Sequence, residues 1–280
     1  MNKFRLLFLY PNAVLQNPPP ISIALFYALL KNNPKVEIKL FDTTLYNIEE
    51  KTSDKTKEEH LQVRPFDFSE RKVYLKTSNI YEDFRNLVFD YKPDLIALSC
   101  NEITYPLGLD LLEKIRDYKS LIIAGGVFPT FAPDVVLDSG IVDLVCIGEG
   151  EYALVELINK LIDNNDYTKI SNIAYKKDDK IIISPLRELI DINNLPFPDY
   201  DIFEENRYYR PMAGKIWKLF PIETSRGCPY SCSYCNSPAQ KELYKKYLHK
   251  NYFRKKYIKT IDNELNYLKN KYSVEYIYFL

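Results

Sequence analysis

The chain lacks net charge: its 280 residues carry 38 Lys and Arg against 38 Asp and Glu. A sequence-independent phosphate-binding surface needs a basic excess, so a specific nucleic-acid partner is not expected. One local basic run, KKYLHKNYFRKKYIK (245–259), is expected to be a solvated helix face. Long apolar runs are missing too. None approaches the ~20 residues that cross a bilayer, so no transmembrane segment is expected. The N-terminal KFRLLFLYPN is too short in its apolar part for a signal peptide and has no small-residue cleavage site. It reads as a first buried strand. Without an export signal, a cytoplasmic and reducing compartment is expected. The five cysteines are then expected to bind metal or take part in catalysis rather than pair as disulfides.

What is present is a long alternation of strand and helix. Apolar runs at Phe4–Tyr10, Val36–Phe41, Asp94–Cys100, Leu121–Ala124 and Leu144–Ile147 are continuous, as in strands covered on both faces. Leu107, Leu111, Leu112, Ile115 and Tyr118 make one helical stripe; Leu154, Leu157, Ile158, Leu161 and Ile162 make another. The segment 22–30 is apolar nearly all round and is expected to be a deeply packed helix. The expected fold is α/β: a doubly wound, parallel, five-stranded sheet of flavodoxin or Rossmann type over residues 1–165, with ligands beyond the carboxyl ends of its strands. Residues 47–77 are polar and weakly periodic and are expected to be a surface excursion before a helix over 81–89. Residues 166–205 are expected to be a hairpin and a linker. SNIAYKKDDKIIISPLRE has two short strand-like runs about a polar turn, and LPFPDYDIF has two prolines in four residues. Residues 206–280 begin a second unit. It has a strand at Leu219–Thr224, a helix bearing Ile258, Ile261, Leu265 and Leu268, and a last strand from Tyr276 to Leu280.

Between the strand and helix of that unit lies SRGCPYSCSYCNSPAQ (225–240), with Cys228, Cys232 and Cys235 inside eight residues. A structural zinc site wants four protein ligands, and here there is no second pair. His249 is the one nearby histidine and has no companion ligand at metal spacing. A disulfide would leave one thiol over. Cys100 and Cys146 fall in expected strands and read as small buried hydrophobes. Three thiolates suit an iron–sulfur cubane with one iron left open for a ligand that reacts.

The order Cys-x3-Cys-x2-Cys, preceded by a strand and Arg226-Gly227 and with Tyr234 before the last cysteine, resembles the radical S-adenosylmethionine superfamily. The resemblance implies that Cys228, Cys232 and Cys235 hold a [4Fe–4S] cluster. The open iron would chelate the amino and carboxylate groups of S-adenosylmethionine, with Tyr234 near the adenine. One electron would then release methionine and a 5′-deoxyadenosyl radical that abstracts a substrate hydrogen. A low-potential donor, a flavodoxin or ferredoxin, is implied as partner.

With that family in view, the first 165 residues resemble the cobalamin (B12)-binding domain that precedes the radical barrel in many members. The carriers are PPPISIALFYALL (18–30), SCNEIT (99–104), AGGVFPTFAPD (124–134) and CIGEGE (146–151), all just after expected strands. Ser99, Thr104, Gly125, Gly126, Val127, Phe128, Gly148 and Glu149 are the implied cobalamin contacts. Glycine there either lets backbone approach a bulky corrin or makes a tight strand-to-helix turn. The two histidines, His60 and His249, lie in no Asp-x-His-x-x-Gly, so no histidine from that motif ligates cobalt. The radical barrel of the family has six strand–helix units. One complete unit and a second strand are readable here, so the sequence is expected to be the front part of a longer enzyme. The expected function is a cobalamin-dependent radical enzyme acting on a small molecule, by methyl transfer or cyclisation. The alternative is a non-catalytic cobalamin- or metal-binding module. A tRNA methylthiotransferase fits less well, because that related family carries three further cluster cysteines in its front domain.

Overall fold

The central strands of the front part are buried on both faces because both alternating sets of side chains are mostly apolar. In β1 (Phe4–Tyr10), Leu6 and Phe8 join one core with residues of α1 (Ile21–Leu30). Leu7 and Leu9 join a second core on the opposite face. The computed structural model describes residues 3–48 and 52–280. The chain continues through β2 (Val36–Asp42), α2 (Ser53–Glu59), α3 (Ile80–Tyr91), β3 (Leu95–Ser99), α4 (Tyr105–Glu113) and β4 (Leu121–Gly125). Two short helices, α5 (Val127–Phe131) and α6 (Pro133–Asp138), lead to β5 (Leu144–Cys146) and α7 (Glu151–Ile162). The excursion expected over 47–77 holds only α2 and short turns; residues 49–51 lie outside the described part. α3 starts where Asn79 caps it, its side-chain oxygen accepting the N–H groups of Tyr81 and Glu82.

β2, β1, β3, β4 and β5 pair in that order, all parallel. The order reverses between β1 and β3, and the crevice at such a reversal is where open α/β sheets take ligands. The hairpin joins the same sheet rather than standing apart. β6 (Ile173–Lys177) pairs antiparallel with β5, and β7 (Lys180–Ile183) pairs with β6, giving seven strands. Asp178 and Asp179 both take positive φ, 49° and 57°, which suits a two-residue hairpin turn. The hairpin also covers the edge of the three-residue β5.

The stretch expected as an extended linker is packed into the core. Tyr200 is fully buried, its hydroxyl donating to the carbonyl of Pro221 at 3.1 Å. Asp199 is 1% exposed and binds Lys31 of α1 and Lys271. The two prolines hold the chain extended, and the aromatic residues between and after them supply the burial.

After it, β8 (Tyr209–Met212) pairs antiparallel with β9 (Lys215–Ile222) through a turn in which Ala213 and Gly214 take positive φ. Then come β10 (Ser225–Arg226), α8 (Ser237–Leu248), β11 (Arg254–Lys255), α9 (Ile258–Tyr272) and β12 (Tyr276–Phe279). β12 lies parallel to β9, so β9, α9 and β12 form one right-sized strand–helix–strand unit. The basic run 245–259 is not one helix face. It spans the end of α8, an extended segment with β11, and the start of α9. His249 closes α8 in a left-handed conformation, and Arg254 and Lys255 then pair antiparallel with β10. No helix among the described residues is long and apolar enough to cross a membrane.

Candidate functional site

A cavity of about 330 Å3 opens at the carboxyl ends of β1, β3, β4 and β5. The strand ends make its floor with Ser99, Gly125, Gly126 and Gly148. α1 walls it with Ile23 and Phe26, and α8 roofs it with Leu243 and Tyr244. Its lining is mostly apolar, with one charged corner formed by Glu149, Glu151, Glu223 and Arg226. Small apolar pockets with a few convergent polar groups are the ordinary form of a ligand site.

Of the strand-end residues expected to contact cobalamin, Ser99, Gly125, Gly126, Val127, Gly148 and Glu149 border this cavity. Thr104 and Phe128 do not line it. Thr104 exchanges hydrogen bonds with Asn101 at 3.0 and 3.1 Å, holding the turn before α4. Phe128 packs its ring 4.9 Å from that of Tyr105. Two of the glycines are demanded by the protein itself. A Cβ on Gly126, whose φ is 118°, would lie 2.2 Å from the carbonyl oxygen of Cys100. A Cβ on Gly148 would lie 2.3 Å from the hydroxyl of Tyr244. Gly125 is freer, its Cβ meeting only the Cβ of Cys146 at 3.7 Å.

Glu149 is the centre of the charged corner and is 8% exposed. One carboxylate oxygen accepts from Arg226 at 3.1 Å and also from Arg254. The other accepts from Arg254 at 3.2 Å and from the Ile190 N–H at 3.1 Å. Burial works against its charge, but the hydrogen bonds from Arg254 and the field of Arg226 outweigh it and hold the carboxyl below its ordinary range. Arg226 also meets Glu151 at 2.6 Å and forks onto both oxygens of Glu223 at 3.0 and 3.1 Å. Burial opposes the Arg226 cation, and the carboxylates of Glu151, Glu223 and Glu149 reverse that and raise its pKa. Of this corner, the sequence offers Glu149 alone as a cobalamin contact. Its partners Arg226 and Arg254 lie 77 and 105 residues away, beyond what local pattern reveals.

Arg226 also roots the cysteine loop, which runs from Gly227 to Asn236 between β10 and α8. Gly227 is needed there: its φ is 88°, and a Cβ would lie 2.9 Å from the ring of Tyr252. Lys241 of α8 reaches back and donates to the carbonyls of Pro229 and Tyr230 and to the Ser231 hydroxyl, at 3.1, 2.7 and 3.0 Å. The Cys235 N–H closes a turn onto the Cys232 carbonyl at 3.2 Å, and the Cys235 sulfur accepts the Ser237 N–H at 3.4 Å. All five cysteines are free thiols. Cys228 and Cys232 are half-buried, Cys235 is exposed, and Tyr234 stands 91% exposed. Among the described residues no three His, Cys, Asp or Glu side chains converge as metal ligands, so the three thiols share a loop without yet meeting. As a donor set they fit a thiolate-bound cluster: three uncommitted thiols on one short loop, with none spent on core packing. Cys100 and Cys146 are the opposite case. Both are buried, and burial pushes their thiols up to about 12, as suits inert core residues.

Residues 62–158 match the B12 binding domain family. Over 157 residues the chain is 31% identical to an anaerobic magnesium-protoporphyrin IX monomethyl ester cyclase of Synechocystis sp., a match covering 55% of this chain and 29% of that protein. Over 151 residues it is 29% identical to the cobalamin-dependent radical SAM methyltransferase TokK of Streptomyces tokunonensis, covering 52% and 22%. The fold superposes on the cobalamin-dependent S-adenosylmethionine radical enzyme OxsB, solved with aqua-cobalamin and S-adenosylmethionine bound. That superposition has a TM-score of 0.67 at 19% identity and takes in 99% of this chain and 34% of that one. The chain spans about a fifth to a third of the length of the curated relatives it matches. A sheet whose strand ends carry the cavity, joined through Arg226 to a Cys-x3-Cys-x2-Cys loop, is therefore no isolated coincidence of motifs: residues 62–158 match the B12 binding domain family, and the chain as a whole is similar to cobalamin-dependent radical S-adenosylmethionine enzymes.

Proposed function

We propose that the chain serves a cobalamin-dependent radical S-adenosylmethionine enzyme that methylates or cyclises a small molecule. The observation that carries this reading is the shared corner at Arg226. One side chain borders the strand-end cavity and stands two residues ahead of Cys228. Cys228, Cys232 and Cys235 would hold a [4Fe–4S] cluster, and Tyr234, open to solvent, would lie over the adenine of S-adenosylmethionine. Ser99, Gly125, Gly126, Val127 and Gly148 would face the cobalamin. When bound, the cluster with S-adenosylmethionine supplies one-electron radical chemistry and cobalamin supplies a methyl carrier.

The residues present divide the work between them. The apolar walls from Ile23, Phe26 and Leu243 exclude water from the strand ends. Glu149 is spent on Arg226 and Arg254 and holds the corner together rather than a ligand. Lys241 fixes the first half of the cysteine loop through three hydrogen bonds, leaving the thiols free. Reducing equivalents would come from a flavodoxin or ferredoxin.

The test is anaerobic reconstitution of the chain with iron and sulfide, then aquacobalamin. The expected result is a [4Fe–4S]⁺ paramagnetic resonance signal that changes on adding S-adenosylmethionine, together with stoichiometric cobalamin uptake. Cobalamin uptake without a cluster would make the chain a binding module. Zinc in place of iron would overturn the proposal.

A further inference from the structure

The cavity and the cysteine loop are joined by a second, aromatic route. Gly148 on the cavity floor touches the hydroxyl of Tyr244, which accepts the Glu149 N–H at 2.9 Å. The Tyr244 ring stacks on that of Tyr252, with centroids 4.6 Å apart and planes 3° apart. Tyr252 in turn lies against Gly227, so closely that a Cβ there would come within 2.9 Å of its ring. The contacts thus run unbroken from the end of β5 to the residue before Cys228.

Tyr244 sits on α8, which begins two residues after Cys235. It is also part of the cavity roof. At about 330 Å3 the cavity matches the lower end of drug-sized ligand sites. A corrin with its side chains is larger than that, so a ligand of that class would fill the cavity, extend beyond it and bear on the roof. Moving the roof breaks the Tyr244–Glu149 contact and carries with it the helix that closes the cysteine loop. The three thiols do not converge while the roof is down.

We infer that Tyr244 is a positioning residue that couples filling of the strand-end cavity to closure of the cysteine loop, so that a corrinoid and the cluster each strengthen the binding of the other. The inference rests on the function proposed above. It assigns α8 two arrangements: roof down with the thiols apart, and roof raised with the thiols free to gather. Two sites that bias one such element must influence each other equally.

The experiment measures the dissociation constant of aquacobalamin by anaerobic absorbance titration, on the full chain with and without reconstituted iron and sulfide. Tyr244→Phe and Tyr252→Leu are measured beside the unaltered protein. The first keeps the ring stack and removes the hydroxyl; the second keeps the hydroxyl and removes the stack. The expected result is binding at least roughly fivefold tighter with the cluster present in the unaltered protein. In both variants that ratio falls toward one, and Tyr244→Phe without cluster binds cobalamin more tightly than the unaltered protein does. Equal affinities with and without cluster in the unaltered protein would overturn the inference and leave the proposed function standing. A fivefold ratio that survives both substitutions would remove Tyr244 from the coupling. No cobalamin uptake by any form would overturn both readings.

Discussion

Asp199 accepts the hydroxyl of Tyr272 at 2.9 Å, and so a segment with the composition of a linker is tied to the inner face of α9. The same carboxylate takes Lys271 at 2.8 Å and Lys31 of α1. Burial disfavours its charge, but the hydrogen bonds from Lys271 and Lys31 prevail and hold its pKa well below the usual carboxylate range. A depressed folded-state pKa gives stability that is complete above the unfolded value of about 4 and is lost as pH falls toward the folded one. Asp199→Asn is expected to cost on the order of 3 kcal/mol at pH 7. In urea titrations the gap between the two proteins should narrow steadily below about pH 4. A gap independent of pH would show that the charge is not what matters.

Arg226 serves three carboxylates, from Glu149, Glu151 and Glu223. With Arg226→Ala, Arg254 still faces Glu149, but Glu151 and Glu223 lose the cation they share, and uncompensated buried charge is costly. A loss of roughly 3–5 kcal/mol is expected, read from thermal or urea unfolding. Arg226→Lys restores the charge but not the fork, and should recover only part of the loss.

Gly125 and Gly126 are neighbours with different reasons to be glycine. Gly126→Ala places a Cβ against the Cys100 carbonyl at a φ that L-residues rarely adopt, and should cost at least about 2 kcal/mol. Gly125→Ala meets only ordinary contact and should leave stability within about 1 kcal/mol. If Gly125→Ala also abolishes cobalamin uptake while the fold holds, that glycine faces the ligand.

Cys228→Ala, Cys232→Ala and Cys235→Ala should each prevent assembly of a full cluster, measured as iron and sulfide per chain. Full retention in Cys232→Ala would sink the ligand assignment. Lys241→Met leaves the thiols in place and removes the clamp on Pro229, Tyr230 and Ser231. It should lower cluster yield while leaving the cluster-free affinity for cobalamin, measured without added iron and sulfide, unchanged.

The central parallel strands were legible because burial on both faces writes an apolar run that survives errors of a residue or two at its ends, whereas the edge strand β2 alternates, with Glu37 and Lys39 between its apolar residues. The cysteine spacing was legible because three thiols on one loop are close in sequence. β8 was hidden by Pro211, which weakens any strand signal. β10 and β11 are two residues each, too short for a period. The basic run misled because Lys and Arg cover a helix, an extended segment and a second helix with equal ease. Thr104 and Phe128 lie near strand ends but outside the cavity lining, engaged by an Asn101 turn and the Tyr105 ring. Glu149 and Arg226 each stood out in their own motifs, but their pairing in one charged corner could not be read. Its members come from the β5–α7 turn, the end of β9, β10 and β11 and meet only after folding.

The burial of Tyr200 among Phe203, Tyr208, Phe220 and Tyr272 has a practical consequence for anyone exchanging modules between such proteins. A seam cut at the prolines, where composition invites it, would split a single aromatic cluster between two parents. A chimera that carries residues 195–222 and α9 from one parent, together with Lys31 on α1, keeps the joint whole.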